Sequence, residues 1–240
     1  MRYMKVRNAM DVTVRKEVSE TTYTEVVEDK DRLLPQLHDY LDTEKQFRKA
    51  LFFYEAGLQQ IMAKLEILNR EFQYGNDRNP IENVKGRVKS EQSIVEKMKK
   101  KGLPMTISAM MNNIYDIAGV RVICPFISDV YQVARMLLSQ KDINLVKMKD
   151  YIKEPKPNGY RSLHLIVLVD VFFSEQMQKI PVEIQLRSIA MNCWASTEHQ
   201  LRYKKDYELS DKMQQELKKC ADLMAEADQI MQGLATEMKF

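Results

Sequence analysis

Glycine is scarce and dispersed. The chain has seven in 240 residues, at positions 57, 75, 86, 102, 119, 159 and 233, so neither G-x-G-x-x-G nor G-x-x-x-x-G-K-[ST] can be written. A nucleotide phosphate bound here cannot rest in a glycine-rich backbone cradle, and arginine and lysine side chains must hold it. Cysteine is scarcer. Three residues, an odd number, argue against a disulfide framework and suit a reducing cytosol, which makes the expected location cytoplasmic. Cys124, Cys193 and Cys220 are spaced like no zinc site. No run approaches the apolar length of a membrane span. Met1 to Glu28 is polar and charged, without the apolar centre of a signal peptide. The charge excess is only +3, too small to name a partner, so its distribution matters more.

What is present fits one domain of generous size with helical additions. Residues 1–28 read as a mobile N-terminal arm of mixed charge and weak periodicity, and Met4 and Met10 leave a later start open. Residues 29–75 form a helical segment, with a long helix from Asp31 or Asp42 to Phe72. Within it Phe47, Leu51, Tyr54, Leu58, Ile61, Leu65 and Leu68 step by four and three. Gly57 inside this helix costs about 1 kcal/mol against alanine. Residues 76–205 make an α/β core after the break at Gly75–Pro80. Residues 206–240 form a C-terminal helix capped by Ser210, with Met213, Leu217, Cys220, Met224, Ala227, Met231 and Leu234 at the same spacing. Two narrow seams predict helices that pack together or against another copy, a homo-oligomer.

Inside the core, helical and strand signals alternate. Ser90 caps a helix that runs to Lys101 and stops at Gly102, with Pro104 beyond. A short helix over Thr106–Asn112 leads to the strand after Asp116. Ser128 opens a helix to Leu138, and Val146–Lys149 reads as an edge strand. Lys153–Gly159 is a loop. Leu163–Val171 is nearly continuous apolar sequence, which predicts a central strand covered on both faces. A polar turn at Glu175–Lys179 precedes a strand around Glu183, and Ser188–Tyr203 closes the core as a helix. The pattern predicts an α/β (α+β) fold, a small mixed sheet with helices against it.

Chemistry concentrates in three places. In Asp116-Ile-Ala-Gly-Val-Arg-Val-Ile-Cys124, a carboxylate stands at the mouth of a strand whose Val120, Val122 and Cys124 share one face, with Arg121 on the other. Val182-Glu-Ile-Gln-Leu-Arg187 repeats the alternation, with Glu183, Gln185 and Arg187 on its polar face. If the strands are close in one sheet, Asp116 and Glu183 converge beside two arginines, which suits a hard metal ion and an anionic substrate. Either strand alone reads as ordinary solvated charge.

The second place is Lys85–Lys101, with seven basic and two acidic side chains. Ser93, Lys97 and Lys100 make one stripe of its helix, with Arg87 and Lys89 just before. A charge run is usually a solvated face; a stripe with a serine in it points towards polyphosphate. The third is Lys156-Pro-Asn-Gly-Tyr-Arg-Ser-Leu-His164. There Tyr160 can be a platform for a base, with Asn158 at the base's edge, or simply half-buried at a turn. Alone, His164 reads as a satisfied core histidine. Two other readings fit part of this pattern: a related transferase with a different acceptor, and an RNA-binding protein using the basic stretch and Tyr160.

Taken together, Asp116-Ile-Ala-Gly-Val-Arg, Lys149-Asp-Tyr-Ile, Lys156-Pro-Asn-Gly-Tyr-Arg-Ser-Leu-His and Val182-Glu-Ile-Gln-Leu-Arg resemble the RelA/SpoT synthetase family. With Arg87-Val-Lys-Ser and Trp194-Ala-Ser-Thr-Glu-His, the chain is similar to its stand-alone small alarmone synthetases of the RelQ/RelP type, over about Ile81 to Tyr203. The resemblance implies a nucleotidyltransferase-like sheet and a (p)ppGpp synthetase, which moves pyrophosphate from ATP to the 3′-hydroxyl of GTP or GDP and releases AMP. It implies Mg²⁺ at Asp116, with Glu183 sharing the metal or deprotonating the attacking hydroxyl. Arg87 and Arg121 would sandwich adenine, and Lys89, Ser93, Lys97 and Lys100 would hold the ATP phosphates. Tyr160 would stack on guanine, with Lys156, Asn158, His164 and Gln185 completing the acceptor pocket. A tetramer is implied, as is regulation by product or RNA. The family's hydrolase domain needs several His and Asp ligands ahead of the synthetase. Only His38 precedes residue 164, so the expectation is synthesis without degradation.

Overall fold

The computed structural model describes residues 44–75, 78–203 and 210–238. The arm expected over residues 1–28, the helix starts weighed at Asp31 and Asp42, and His38 lie outside them. The first elements are α1 (Glu44–Gly75), β1 (Asn83–Val88), α2 (Glu91–Lys100), α3 (Ile107–Asn113) and β2 (Ala118–Cys124). Then come α4 (Ile127–Leu138), β3 (Ile143–Asp150), β4 (Leu163–Phe172), β5 (Met177–Ser188), α5 (Ile189–Tyr203) and α6 (Asp211–Glu237).

The strands form one mixed sheet in the order β1-β2-β5-β4-β3. Only β2 and β5 pair in parallel; the other pairs are antiparallel. This is the small mixed sheet flanked by helices that the alternation predicts. The strand in the middle is β5, however. The apolar run of β4 stands one place nearer the edge, and its Phe172 is exposed. The odd-numbered residues of β4, Leu163 to Val171, are buried in the core with α1, while His164, Ile166 and Asp170 on the other face are half-buried, so an apolar run need not mark the middle of a sheet.

The α1 seam packs as its spacing predicts. Tyr54, Ile61 and Leu65 are fully buried against the sheet, with Phe47, Leu51, Leu58 and Leu68 at the margin. Gly57 has a reason to be there: a Cβ on it would stand 2.5 Å from Ile180 Cγ2. The helix rides that close to β5, and the propensity lost to glycine is the condition of contact.

Local signals place the smaller helices. Ser90 accepts from the Ser93 amide and Thr106 from the Ala109 amide, as N-cap residues do. Gly102 follows α2 with φ +64°. At α4 the cap differs from expectation. Asp129, not Ser128, accepts from the backbone amide of Phe126. Its carboxylate also takes a two-pronged bond from Arg78 at 2.5 and 2.6 Å.

The C-terminal helix also departs from its predicted seam. Ala221, Asp228 and Ala235 are its buried residues, seven apart, while Met213, Cys220, Ala227, Met231 and Leu234 are exposed along with Leu223 and Ile230. The helix lies close to the domain, where alanine fits and methionine does not. Asp228 is drawn inward by the Ser188 hydroxyl. No helix among the described residues is long and apolar enough to cross a membrane.

Candidate active site

Pairing across the sheet sets a grid of side chains on its polar face. Lys85, Arg121, Gln185, His164 and Lys149 are cross-strand neighbours in one row, and Arg87, Gly119, Glu183 and Ile166 in the next. Strand alternation turns the odd-numbered residues of β5 to this face and leaves Ile180 and Val182 for α1. Asp116 stands just before β2. The amide of Lys89 donates to the Ile117 carbonyl, which carries the end of β1 up beside it.

Asp116 is gripped from two elements. Its Oδ2 accepts from Lys89 Nζ at 2.7 Å and from Lys97 Nζ, one α2 turn after Ser93, at 2.5 Å. Burial alone would push this carboxyl up; the two ammonium groups overcome that and hold it below the usual carboxylate range. Glu183 shows the same balance. Burial raises it, while the His164 contact and the Gln185 bond bring it net below its ordinary value, against the neighbouring charge of Asp116. Both acids therefore stand ionised, with side chains only 20% and 21% exposed. On the opposite side, Arg121 is pulled below its ordinary value by burial, then by Arg187 and Arg87. Three guanidiniums share one neighbourhood.

The Lys156–His164 loop closes the grid. Gly159 takes φ +88°, its amide donates to the Lys156 carbonyl, and the Asn158 side chain accepts from the Tyr160 amide. Asn158 thus shapes the turn. Lys156 Nζ lies over the rings of Tyr151 and Tyr160 at 4.8 and 4.7 Å. Tyr160 meets Tyr151 and His164 edge-on, and its hydroxyl is 2.7 Å from His164 Nε2. His164 is accordingly a partnered member of the site. The back of the loop rests on α6: a Cβ at Gly159 would stand 2.5 Å from that of Ala221, and Trp194 Nε1 donates to the Leu217 carbonyl at 2.8 Å.

Of the residues singled out from sequence, Asp116, Lys89 and Lys97 meet directly, and so do Glu183, His164, Gln185 and Tyr160. Arg87 and Arg121 are neighbours across β1 and β2. Ser93 turns its hydroxyl to Ser90 at the helix start, and Lys100 is exposed in the last turn of α2. Two participants were not assigned to catalysis or to either nucleotide by sequence reasoning. Arg187 falls on the polar face by alternation, but nothing local shows that the loop returns to it. Tyr151 lies in the Lys149-Asp-Tyr-Ile motif, and only the loop's path sets its ring against His164.

Three buried polar atoms here lack a protein hydrogen-bond partner: Asp116 Oδ1, Arg121 Nε and Arg187 Nε. A carboxylate oxygen and two guanidinium N–H groups suit a hard cation and an anion. Among the described residues no three His, Cys, Asp or Glu side chains cluster as metal ligands. A cation here would take one or two carboxylates and complete its shell from phosphate and water, the habit of Mg²⁺. The residues fit that group.

A mixed sheet with paired carboxylates, a lysine stripe and an aromatic loop defines a phosphoryl-transfer enzyme that works on nucleotides. A family model described as "Region found in RelA / SpoT proteins" matches residues 86–208. The chain is 40% identical over 208 residues to GTP pyrophosphokinase YwaC of Bacillus subtilis, covering 87% of this chain and 99% of that protein. Small alarmone synthetase 1 from B. subtilis, solved with its product pppGpp, superposes with TM-score 0.76 at 35% identity, over 82% of this chain and all of that one. Small alarmone synthetase 2 from the same organism gives 0.73 at 42% identity, over 80% and 99%. The chain belongs to the RelA/SpoT family, among its small alarmone synthetases.

Proposed function

We propose that Asp116, Glu183 and the side chains around them carry the reaction of the family on this chain. The protein is a GTP pyrophosphokinase that produces (p)ppGpp, the alarmone of the stringent response. The convergence of two ionised carboxylates with Lys89 and Lys97, on one sheet face opposite an aromatic loop, is the observation that supports these roles.

ATP binds on the β1–α2 side, its adenine between Arg87 and Arg121 and its phosphates along Lys89, Ser93, Lys97 and Lys100. The guanine of GTP or GDP stacks on Tyr160, with Lys156, Asn158, His164 and Gln185 around it. The 3′-hydroxyl attacks the β-phosphorus, the bond to the α-phosphate oxygen breaks, and AMP leaves. Glu183 takes the hydroxyl proton. Asp116, with Glu183 beside it, would hold Mg²⁺, which when bound would neutralise phosphate charge. Lysines that pair with Asp116 in the resting protein turn to phosphate as ATP arrives. Catalysis is then mostly alignment and charge neutralisation.

We place this activity in the cytosol, and in a homotetramer. The exposed apolar stripe of α6 (Met213, Leu223, Ile230, Met231 and Leu234) supports assembly; light scattering checks it, and a monomer at working concentration overturns it. The function is tested by supplying purified protein with Mg²⁺ and ATP, with and without GTP or GDP. AMP should appear in step with a more phosphorylated guanine nucleotide. A folded sample that makes neither overturns the reading.

A further inference from the structure

Five side chains on the polar face close into a ring of polar contacts, four of them hydrogen bonds. Arg187, only 4% exposed, donates from one nitrogen, Nη2, to the Tyr160 hydroxyl at 2.7 Å and to Gln185 Oε1 at 2.8 Å. The Tyr160 hydroxyl is 2.7 Å from His164 Nε2, and His164 Nδ1 is 3.4 Å from Glu183 Oε1. Gln185 Nε2 donates to Glu183 Oε2 at 2.9 Å, which completes the ring.

A guanidinium can only donate, and an ionised carboxylate can only accept. With its oxygen accepting from Arg187, Tyr160 has its one proton free for His164 Nε2. With Tyr160 donating there, a neutral imidazole carries its hydrogen on Nδ1, facing Glu183. Gln185 is set likewise, with its carbonyl to the arginine and its amide hydrogens to the carboxylate. The Tyr151 ring, edge-on to His164 at 5.2 Å, opposes rotation of the imidazole.

We propose that Arg187 and the Tyr160 hydroxyl are positioning groups for Glu183. Through the His164 tautomer and the Gln185 rotamer, they hold each carboxylate oxygen on a donor and aim the base at the acceptor hydroxyl. This rests on the reading of Glu183 as the base, and it gives Tyr160 a second task, distinct from stacking.

Tyr160→Phe separates the two tasks, since it keeps the ring and removes only the hydroxyl. In Tyr160→Phe, kcat should fall about tenfold while the GTP KM stays within about threefold of wild type. Arg187→Met should lose at least as much kcat, and the double variant should be no worse than Arg187→Met alone, since both act through one chain. Nitrogen-15 NMR of histidine in the resting protein, with His164 assigned by His164→Gln, should show the Nδ1–H tautomer in wild type and its loss in Tyr160→Phe. Wild-type kcat in Tyr160→Phe, or an Nε2–H tautomer in the wild-type protein, overturns the proposal. If Arg187→Met does not fold, Tyr160→Phe still decides. The tautomer is read without turnover, so a wild type that makes no alarmone overturns the synthetase reading and leaves this measurement valid.

Discussion

The proposed donor and acceptor sides of the site share one sheet face, yet they are held in different ways. On the donor side, Lys89 and Lys97 reach Asp116 from β1 and α2, elements whose outward faces are exposed. Long cations on solvated elements can exchange one anion for another. On the acceptor side, Tyr160 and His164 are interlocked with Arg187, Gln185 and Glu183, and the loop behind them is pressed on α6 at Gly159 and Ala221. That side is preorganised, so little ordering is left to bind the second substrate. One side is built to trade partners and the other to hold still.

The hardest blow to this contrast is Asp116→Asn. It removes the charge that balances the donor lysines, and activity should fall by about a thousandfold or more, with circular dichroism unchanged. Near-normal turnover would deny Asp116 its place in catalysis. Tyr160→Ala strikes the other side, removing ring and hydroxyl together. The acceptor KM should rise about tenfold or more, beyond the kcat loss shared with Tyr160→Phe, while the ATP KM moves little. Equal rises in both KM values would mean that the two sides are not separately built.

Smaller effects probe the support beneath. Gly57→Ala improves helix propensity by about 1 kcal/mol but places a methyl against Ile180, where overpacking costs about 1–3 kcal/mol. Urea unfolding should show a net loss, and a gain would mean that α1 does not ride as close to β5 as described. The smallest effect is electrostatic. Asp116 and Glu183 both lie below their ordinary values in the folded protein. In acid the unfolded chain therefore binds protons first, so their contribution to stability is intact above the ordinary carboxylate range. It is lost as pH falls through their folded values. Replacing both lysines by methionine should weaken the Asp116 part of that acid sensitivity; an unchanged acid limb would show that the lysines do not set it.

The same contrast decides what could be read from the chain. Asp116, Glu183, Lys89 and Lys97 were legible because alternation and helical spacing are local rules that assign a face to each charge. Arg187 was placed on the correct face but given no task, because its task depends on a loop that returns from a distant part of the chain. Tyr151 was missed for the same reason. The α6 seam misled because spacing records which residues are apolar, whereas close packing selected the small ones, Ala221 and Ala235, and admitted Asp228 through its bond to Ser188. Gly57 looked like a defect until Ile180 was seen beneath it.

The position of β5 carries one more consequence. Among the described residues it is the last strand in sequence and the middle strand in the sheet. During synthesis, Asp116 and the donor lysines leave the ribosome well before Glu183, Gln185 and Arg187, and β4 has no neighbour joining it to β2 until β5 slides between them. A nascent chain stopped short of Glu183 thus holds the proposed donor half without its proposed base. On the proposed roles, alarmone output therefore requires synthesis to have passed through β5.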